Sequence, residues 1–559
     1  MKGRMPPMSS NRLSLPLMAA LSIFSTRSMA DFPGIFPDPI ALNSNAVGDS
    51  GSDHVPHIVT DGQGNWVAIW DSDDTLGGTI GMDIDILCAR SENNGASWST
   101  PAPVNINAAS DGSGADNNPF IATDSLGTWI VVWQSTTNLG GAIGSDSDIL
   151  YARSTNNGMT WSLPAPLNSN AAIDAVSDSK PQISADSQGH WVVVWSSQIN
   201  PSGPGSDTDI FVATSNNAGA TWTPPVPLNS NATTDIGNDA EPIVANDGHE
   251  FWLVVWRSTE NLGGTIGTDD DFFFARSTDN GASWTPPAVL NTNAATDTRG
   301  GGDLTLAADG HGVWLVAWTS SENLGGVLGT DGDIQFTRST DNGATWTDPM
   351  PLNNNAAGDL GADEIPHLST DKMGNWIAAW DGNNAAGGTV GTEYDIFIAH
   401  SADDGATWTN PVPLNAYANA DTGDDYFAVV APDGRGNWVA AWESNENVGG
   451  SIGTDFDILT TRFAFPDCNS NGIGDIQDIA DAASADCNTN GIPDECETDS
   501  DGDGVIDACA VIAPPLLPNA VCGTCAPGVF PAIGLALVTG LLGRLRHVSR
   551  RQWLDKHRH

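Results

Sequence analysis

Short apolar runs recur along the chain, and the pattern W-x-x-x-W marks each copy. Successive copies begin about 62 residues apart, and both tryptophans of a pair point to the same face of a β-strand. Seven copies at nearly constant spacing indicate a repeat architecture with a large aromatic core. The pairs are Trp66/Trp70, Trp129/Trp133, Trp191/Trp195, Trp252/Trp256, Trp314/Trp318, Trp376/Trp380 and Trp438/Trp442.

Each unit contains four short β-type runs bounded by Gly, Pro, Asn and Asp. In one unit a Gly-rich loop leads into the apolar run 271–276, and a Pro-rich run follows at 285–291. No unit shows sustained helical periodicity. Four antiparallel strands cannot bury both faces alone, whereas a closed ring of sheets can. The sequence therefore predicts an all-β fold, a seven-bladed β-propeller with four-stranded antiparallel blades, over residues 31–465.

The phase of the repeat predicts how the ring closes. The last unit ends at residues 457–463 without a Pro-rich fourth run. The repeat region begins with a spare copy of that run, Pro39 to Asn43. We expect this N-terminal strand to complete blade seven.

A polar turn before each Pro-rich run follows the pattern S-x-D-x-G-x-x-W. Three copies match it fully, at 277–284, 339–346 and 401–408, and three have Asn at the third position, at 91–98, 154–161 and 215–222. The turn resembles the Asp-box, or bacterial neuraminidase repeat, of sialidase-like β-propellers. The resemblance implies a turn between the third and fourth strands, in which the short polar side chain caps backbone amides and the tryptophan packs between blades. It implies a fold, not catalysis.

The resemblance to sialidases also implies a catalytic set: three arginines that clamp a carboxylate, a Tyr–Glu nucleophile pair and an Asp acid/base. Five arginines here share one repeat position at the end of the third strand and are interpreted as structural: Arg90, Arg153, Arg276, Arg338 and Arg462. The others of the repeat region are Arg257, Arg299 and Arg435, and the predicted innermost strands contain Tyr426, Glu241 and Glu364 but no Arg. We assign no catalytic residue. An exo-sialidase-like glycoside hydrolase acting on extracellular glycans is the alternative.

Loops on the face opposite the Asp-boxes are rich in Asp and Asn. Most units have an N-x-N-A-x-x-D-like loop, as at Asn231, and a D-x-D pair or relative before the third strand, as at Asp83/Asp85. Oxygen ligands from two such loops suit Ca²⁺. Turn capping with solvated carboxylates is the alternative, which we favour here. For His54, His57 and His367 the spacing is not that of a metal site, so we expect core or surface roles.

Residues 466–510 contain three calcium-loop patterns. The second pattern along the chain matches D-x-[DN]-x-[DN]-G-x5-E in full. It starts 13 residues before the third pattern, and this short spacing resembles that of thrombospondin type 3 or dockerin-like arrays. A flexible Asp/Asn-rich linker is the alternative. The predicted ligands of the full match are Asp486, Asn488, Asn490, the Ile492 carbonyl, Asp494 and Glu497. Those of the first copy are Asp467, Asn469, Asn471, the Ile473 carbonyl, Asp475 and Asp478. Those of the third, which has Ala510 at the last position, are Asp499, Asp501, Asp503, the Val505 carbonyl and Asp507.

The two ends of the chain predict export and surface attachment. Residues 1–30 have the basic start, apolar run and small-residue cleavage site of a signal peptide. A Pro/Cys linker at 511–528 precedes an apolar segment and basic tail at 529–559, which resembles bacterial C-terminal surface-sorting signals. Export permits disulfides, and Cys468, Cys487, Cys496 and Cys509 allow three pairings. We expect Cys88 to be a buried free thiol.

Composition limits the range of partners. The chain has 20 Lys+Arg against 69 Asp+Glu, a formal charge of −49, which argues against nucleic-acid binding. Ca²⁺ is the expected cofactor. We therefore predict an exported monomer at the cell surface or in the outer envelope, or released from it. It would be a non-catalytic propeller that binds an extracellular protein or glycan and meets the membrane only through its C-terminal tail.

Overall fold

The fold consists of seven four-stranded antiparallel sheets, as predicted. A computed structural model describes residues 36–464 except 174, 199–206, 235, 268, 298, 330, 359, 384–392, 416–417, 419–421 and 451. Beyond 464 it describes 468, 475, 479, 483–487 and 493–497. Neighbouring blades are joined by loops from the fourth strand of one to the first strand of the next. We call the end of the propeller that contains them the inter-blade face, and the opposite end the Asp-box face.

The first two strands of each blade form its inner half. The innermost strands are β2 (Asp53–Thr60), β6 (Asp116–Thr123), β10 (Asp178–Ala185), β14 (Asp239–Asn246), β18 (Gly301–Ala308), β22 (Asp363–Thr370) and β26 (Asp425–Pro432). The second strands are β3 (Trp66–Ser72), β7 (Trp129–Ser135), β11 (Trp191–Ser197), β15 (Trp252–Ser258), β19 (Trp314–Ser320), β23 (Trp376–Gly382) and β27 (Asn437–Ser444).

The third and fourth strands form the outer half. The third strands are β4 (Asp85–Ser91), β8 (Asp148–Ser154), β12 (Asp209–Ser215), β16 (Asp271–Ser277), β20 (Asp333–Ser339), β24 (Asp395–Ser401) and β28 (Asp457–Ala464). The fourth strands have two residues each: β1 (Ile40–Ala41), β5 (Ala102–Pro103), β9 (Ala165–Pro166), β13 (Val226–Pro227), β17 (Ala288–Val289), β21 (Met350–Pro351) and β25 (Val412–Pro413). The described residues also include two 3-10 turns, Val448–Gly450 and Asp494–Cys496.

The N-terminal strand closes the ring, as predicted. In blade seven β1 pairs antiparallel with β28, with Ile40 opposite Thr460 and Ala41 opposite Leu459. The Leu42 amide donates to the Ile458 carbonyl at 2.7 Å. Because the two ends of the propeller share one sheet, no blade is left with an unpaired outer edge on β28.

The tryptophan pairs form the core between blades, as predicted. Trp66 and Trp70 of blade one pack with Val439 and Ala441 of blade seven in one buried cluster. The same arrangement recurs around the ring, and all fourteen of these tryptophans are at most 3% exposed. Large apolar side chains from each sheet therefore hold it against its neighbour.

The Asp-box turns and the repeated arginines link neighbouring blades, which confirms both structural interpretations. In the box of blade four, the Gly281 amide donates to Ser277 Oγ at 2.9 Å, and the Ser283 amide donates to Asp279 Oδ1 at 2.8 Å. Burial opposes ionisation of Asp279, but its hydrogen bonds with Ser283 and Ser277 lower its pKa. Arg153 Nε donates to the Ala218 carbonyl in the box of the next blade at 2.6 Å.

Several predictions concern segments outside the described residues. These are the signal peptide at 1–30, the linker at 511–528 and the tail at 529–559. Among the described residues, no helix has the length and apolar character needed to cross a membrane.

Candidate functional site

The innermost strands surround a central channel of about 720 Å³, lined by all seven of them. At the inter-blade face each strand has a bulge, and the third residue of the strand adopts a positive φ of about 50°. This backbone conformation is costly for β-branched side chains such as Val55 and Ile365. Strain repeated at the same place in every blade indicates that the bulge positions side chains at the channel mouth. The bulge residues are Val55, Asn118, Lys180, Glu241, Asp303, Ile365 and Phe427.

The backbone amides of several bulge residues donate hydrogen bonds to the second strand of the preceding blade. The Val55 amide donates to Glu443 Oε2 at 2.8 Å, the Asn118 amide to Asp71 Oδ2 at 3.2 Å, and the Ile365 amide to Thr319 Oγ1 at 3.1 Å. The acceptor is always the residue directly after the second tryptophan. That repeat position varies around the ring: Asp71, Gln134, Ser196, Arg257, Thr319, Asp381 and Glu443.

Acidic side chains dominate one side of the mouth. Asp381 is fully buried, and burial followed by the negative charges of Glu443 and Asp303 raises its pKa well above the ordinary value. Burial, together with Glu241 and Glu364, also raises the pKa of Asp303. Carboxyl groups that raise one another's pKa in this way cannot all ionise independently. This side of the mouth therefore favours ligands that donate hydrogen bonds or carry positive charge.

Aromatic rings line the same side. The rings of Tyr394 and Tyr426 lie 5.1 Å apart, and Phe456 lies 6.4 Å from Tyr426 and 5.1 Å from the ring of His54. Burial and the charge of Asp424 raise the pKa of Tyr426 to about 12. Burial and the charge of Glu364 raise that of Tyr394. Both phenols are therefore neutral hydrogen-bond donors at neutral pH.

The arginines that a sialidase-like clamp would require are not brought together. Arg257 Nε lies 3.6 Å from Glu241 Oε2, and its Nη1 lies 3.4 Å from Asp270 Oδ2. Arg299 instead donates to Ser321 Oγ at 3.2 Å, and Arg435 lies in the turn between β26 and β27 on the Asp-box face. None of the seven innermost strands, all of which are described, contains an arginine. One guanidinium already paired with two carboxylates cannot fix an anionic sugar in the way that a cluster of arginines does.

The histidines singled out in the sequence lie at the channel. His54 Nδ1 lies 3.3 Å from Glu443 Oε2, and this hydrogen bond raises the His54 pKa. His57 and His367 line the channel, where burial lowers their pKa values to about 3 and about 4. The His57 ring lies 4.2 Å from the ring of Phe120. His57 and His367 are therefore neutral wall residues, and His54 is the one that meets the acidic mouth.

The D-x-D pairs correct one expectation. The second Asp of each pair is buried, not solvated, because an Asn two residues after the fourth strand lies against it. Asn105 Nδ2 donates to Asp85 Oδ1 at 2.6 Å and to Asp116 Oδ2 at 2.8 Å. Burial raises the pKa of both carboxyls to about 7. The equivalent asparagines are Asn43, Asn168, Asn229, Asn291, Asn353 and Asn415.

Sequence reasoning missed part of the mouth. It named Tyr426, Glu241 and Glu364 on innermost strands, but not Asp381 and Glu443, which come from second strands. The available signal was the variation directly after the second tryptophan, where the otherwise regular repeat holds six residue types.

The calcium-loop segment is described only in part. Of its predicted ligands, Asp475, Asp486, Asp494 and Glu497 are described, and the other thirteen lie outside the described residues. The Cys468 amide donates to Asp475 Oδ1 at 2.8 Å, and the Cys487 amide donates to Asp494 Oδ1 at 2.9 Å. The same hydrogen bond, from the amide of a Cys to the Asp seven residues later, thus occurs in both loops. A Cys468–Cys496 disulfide resolves one pairing that the sequence left open, and Cys88 is a buried free thiol, as predicted.

Comparisons with known proteins match the propeller. Residues 189–447 match the BNR repeat-like domain family. A sialidase from Paraclostridium sordellii is 28% identical over 165 residues, which cover 26% of this chain but only 39% of that protein. The chain is also similar to solved structures of a Dyadobacter fermentans protein of unknown function (14% identity, 66% of this chain and 99% of that chain, TM-score 0.41) and of the Hadza microbial sialidase Hz136 (15% identity, 71% and 76%, TM-score 0.39). The chain therefore contains BNR-like repeats within a seven-bladed propeller.

Proposed function

We propose that the chain is an exported, surface-attached, non-catalytic propeller that binds an extracellular protein or glycan at its acidic channel mouth. The observation that carries this proposal is the composition of the mouth. Glu241 and Asp303 line the channel, and Glu364 is a half-buried carboxyl that acts on Asp303. Asp381 and Glu443 are buried behind them, and Arg257 is already paired with Glu241 and Asp270. Carboxylates accept hydrogen bonds and attract cations, so the partner presents lysine, arginine or amine groups.

The neutral phenols support binding over catalysis. A tyrosine nucleophile must lose its proton as it attacks, and a pKa of about 12 at Tyr426 opposes this step. Aromatic rings beside carboxylates are instead suited to packing against a ligand while donating one hydrogen bond. A sialidase-like hydrolase is the second candidate, because Tyr394, Tyr426 and Glu364 lie at one side of the mouth.

The C-terminal segments complete the proposal. The calcium loops at 466–510 would form a Ca²⁺-ordered spacer, and the tail at 529–559 would attach the chain to the envelope. The signal at 1–30 would direct export. This order of segments suits a display protein that works as a monomer in adhesion or envelope organisation.

The first test separates binding from hydrolysis. Purified full-length chain with Ca²⁺ would be assayed with a fluorogenic sialoside and a panel of neutral glycosides. We expect no turnover. Turnover that Tyr426→Phe or Arg257→Ala abolishes would overturn the proposal in favour of the hydrolase.

The second test measures recognition of cationic groups. We expect oligolysine and glucosamine oligomers to bind the chain, and Glu364→Gln with Glu443→Gln to weaken that binding at least tenfold. Glu92→Gln with Glu250→Gln removes the same charge from the Asp-box face and should have little effect. Equal weakening by both double variants would indicate non-specific attraction to an acidic protein and contradict a site at the mouth.

A further inference from the structure

A group of oxygen ligands lies at the junction where blade seven meets blade one. Asp455 and Asp457 precede and begin β28, whereas Asn45 and Asp49 belong to the loop after β1. One carboxylate oxygen from each of Asp49, Asp455 and Asp457 lies within 4.8 Å of the others. Ligands on opposite sides of a Ca²⁺ ion, each at about 2.4 Å, are separated by about this distance.

The same group recurs at the junction of blades one and two. Asp83 precedes β4 and Asp85 begins it, and Asn107 and Asp111 lie in the loop after β5. Carboxylate oxygens of Asp83, Asp85 and Asp111 again lie within 4.8 Å of one another. Two independent copies of one geometry show that the sequence repeat places these ligands.

The acidic cluster alone would not define a site, because exposed acids commonly gather on surfaces. The second observation is a buried acceptor without a donor. Asp85 and Asp457 are each 1% exposed, and the Oδ2 atom of each is buried and accepts no hydrogen bond from any described residue. Their Oδ1 atoms are held by Asn105 and Asn43, so each Oδ2 is fixed in place.

The neighbouring oxygen atoms at both junctions are also buried without a hydrogen-bond donor among the described residues. Both oxygens of Asp83, Oδ1 of Asp111 and Oδ1 of Asn107 are buried and likewise accept no hydrogen bond from the described part of the chain. At the other junction the same holds for Asn45 Oδ1, Asp49 Oδ1 and Asp455 Oδ2. Buried acceptors that lack donors are costly unless a cation satisfies them. Three carboxylates and an amide oxygen form the hard, all-oxygen ligand set that Ca²⁺ prefers.

The loops hold these ligands close together. A Cβ atom at Gly81 would lie 2.1 Å from Asp83 Oδ1, and one at Gly453 would lie 2.0 Å from Asp455 Oδ1. Only glycine leaves room for the carboxylate at either position. The first Asp of each D-x-D pair is therefore held against the preceding loop.

We propose that Ca²⁺ binds at these two blade junctions, through Asn45, Asp49, Asp455 and Asp457 at one and through Asp83, Asp85, Asn107 and Asp111 at the other. At the first junction the ion joins the two ends of the propeller, whose ligands are about 400 residues apart in sequence. Crosslinking such a long loop strongly restricts the unfolded chain. The Ca²⁺ ion at this junction thus stabilises the closed ring, and it is separate from any calcium in the C-terminal loops.

The test is the calcium content of the full-length chain after chelation, dialysis against defined free Ca²⁺ and elemental analysis. We expect two Ca²⁺ per chain from the propeller, in addition to any ions bound by the three C-terminal loops. Asp455→Asn with Asp457→Asn should remove one ion and lower the calcium-dependent rise in unfolding temperature. Asp486→Asn with Glu497→Gln should leave the propeller ions bound, which distinguishes this proposal from the C-terminal sites.

Asp124→Asn is the matched control, because Asp124 is buried in the turn between β6 and β7 on the Asp-box face and accepts amide hydrogen bonds there. It should not change the calcium count. Mg²⁺ should not replace Ca²⁺, since it requires a smaller octahedral site. Fewer than two ions in the unsubstituted chain would overturn the proposal even if the double variant failed to fold. A folded double variant with an unchanged count would also overturn it.

Discussion

The blade junctions and the channel mouth lie on the same face of the propeller, but they differ in how strictly they follow the repeat. Every junction contains a buried Asn next to the second residue of a D-x-D pair or its relative, in all seven copies. The position after the second tryptophan instead holds six residue types in seven blades. Constant positions satisfy needs that every blade shares, whereas variable positions are free of them. Partner recognition is therefore to be sought where the repeat is broken, and structural roles where it is kept.

The largest test of this comparison is removal of one constant tryptophan. Trp133 is fully buried in the cluster between blades one and two. Trp133→Ala should reduce the free energy of unfolding by about 3–5 kcal/mol, because it leaves a large cavity between two sheets. Unfolding in urea at fixed Ca²⁺ measures this loss. The neighbouring mouth residue is the control, and Gln134→Ala should cost less than half as much. Equal losses would mean that the variable position is as structural as the constant one.

The next test compares two copies of the constant asparagine. Asn43 Nδ2 donates to Asp53 at 2.6 Å and to Asp457 at 2.7 Å, while Asn168 makes the equivalent contacts to Asp148 and Asp178 at 2.8 Å. Either change to Ala should cost roughly 3 kcal/mol in chelator, because two buried carboxyls lose a donor.

The two asparagines differ in where they lie along the chain. Asn43 joins the N-terminal segment to the last blade, so its loss should also speed proteolysis near residue 40. Asn168→Ala should not have this effect. Equal proteolysis of the two variants would show that β1 does not depend on this contact for ring closure.

The fold could be predicted in detail from the sequence because the residues that determine it recur at the same position in every blade. The Trp pairs, Asp-boxes and spare strand at Pro39 to Asn43 gave blade number, strand order and closure, since each feature occurs many times or is missing once. The mouth was harder to predict. The side chains of Asp381 and Glu443 meet there only because bulges in the next blade turn backbone amides toward them. The residue at the bulge has no signature, since residues as different as Val55 and Lys180 occupy it. The proline that follows it in five of the seven blades marks the bulge but not which side chains meet there.

The burial of the D-x-D pairs also could not be predicted from the motif. A D-x-D motif reads the same whether its carboxylates are exposed to solvent or buried. Asp85 is buried only because Asn105, twenty residues later in the chain, returns to the same strand end and hydrogen-bonds it. The distinction depends on a tertiary contact between β4 and the loop after β5.

The smallest predicted effect is a change of charge at the mouth that leaves the fold intact. The Glu443 carboxylate accepts a hydrogen bond from His54 and raises the His54 pKa above its ordinary value of 6.5. Because the folded-state pKa is raised, this pair stabilises the protein fully below pH 6.5, and the stabilisation is lost as the pH rises through the folded-state pKa. Glu443→Gln should therefore lower the pKa of His54, as measured by NMR titration of its ring protons. Stability should change little once the pH lies above the folded-state pKa, since His54 is partly exposed and neutral there. An unchanged His54 pKa would mean that Glu443 acts on the Val55 amide alone. The mouth would then lack the paired His–Glu group that distinguishes blade one from the other blades.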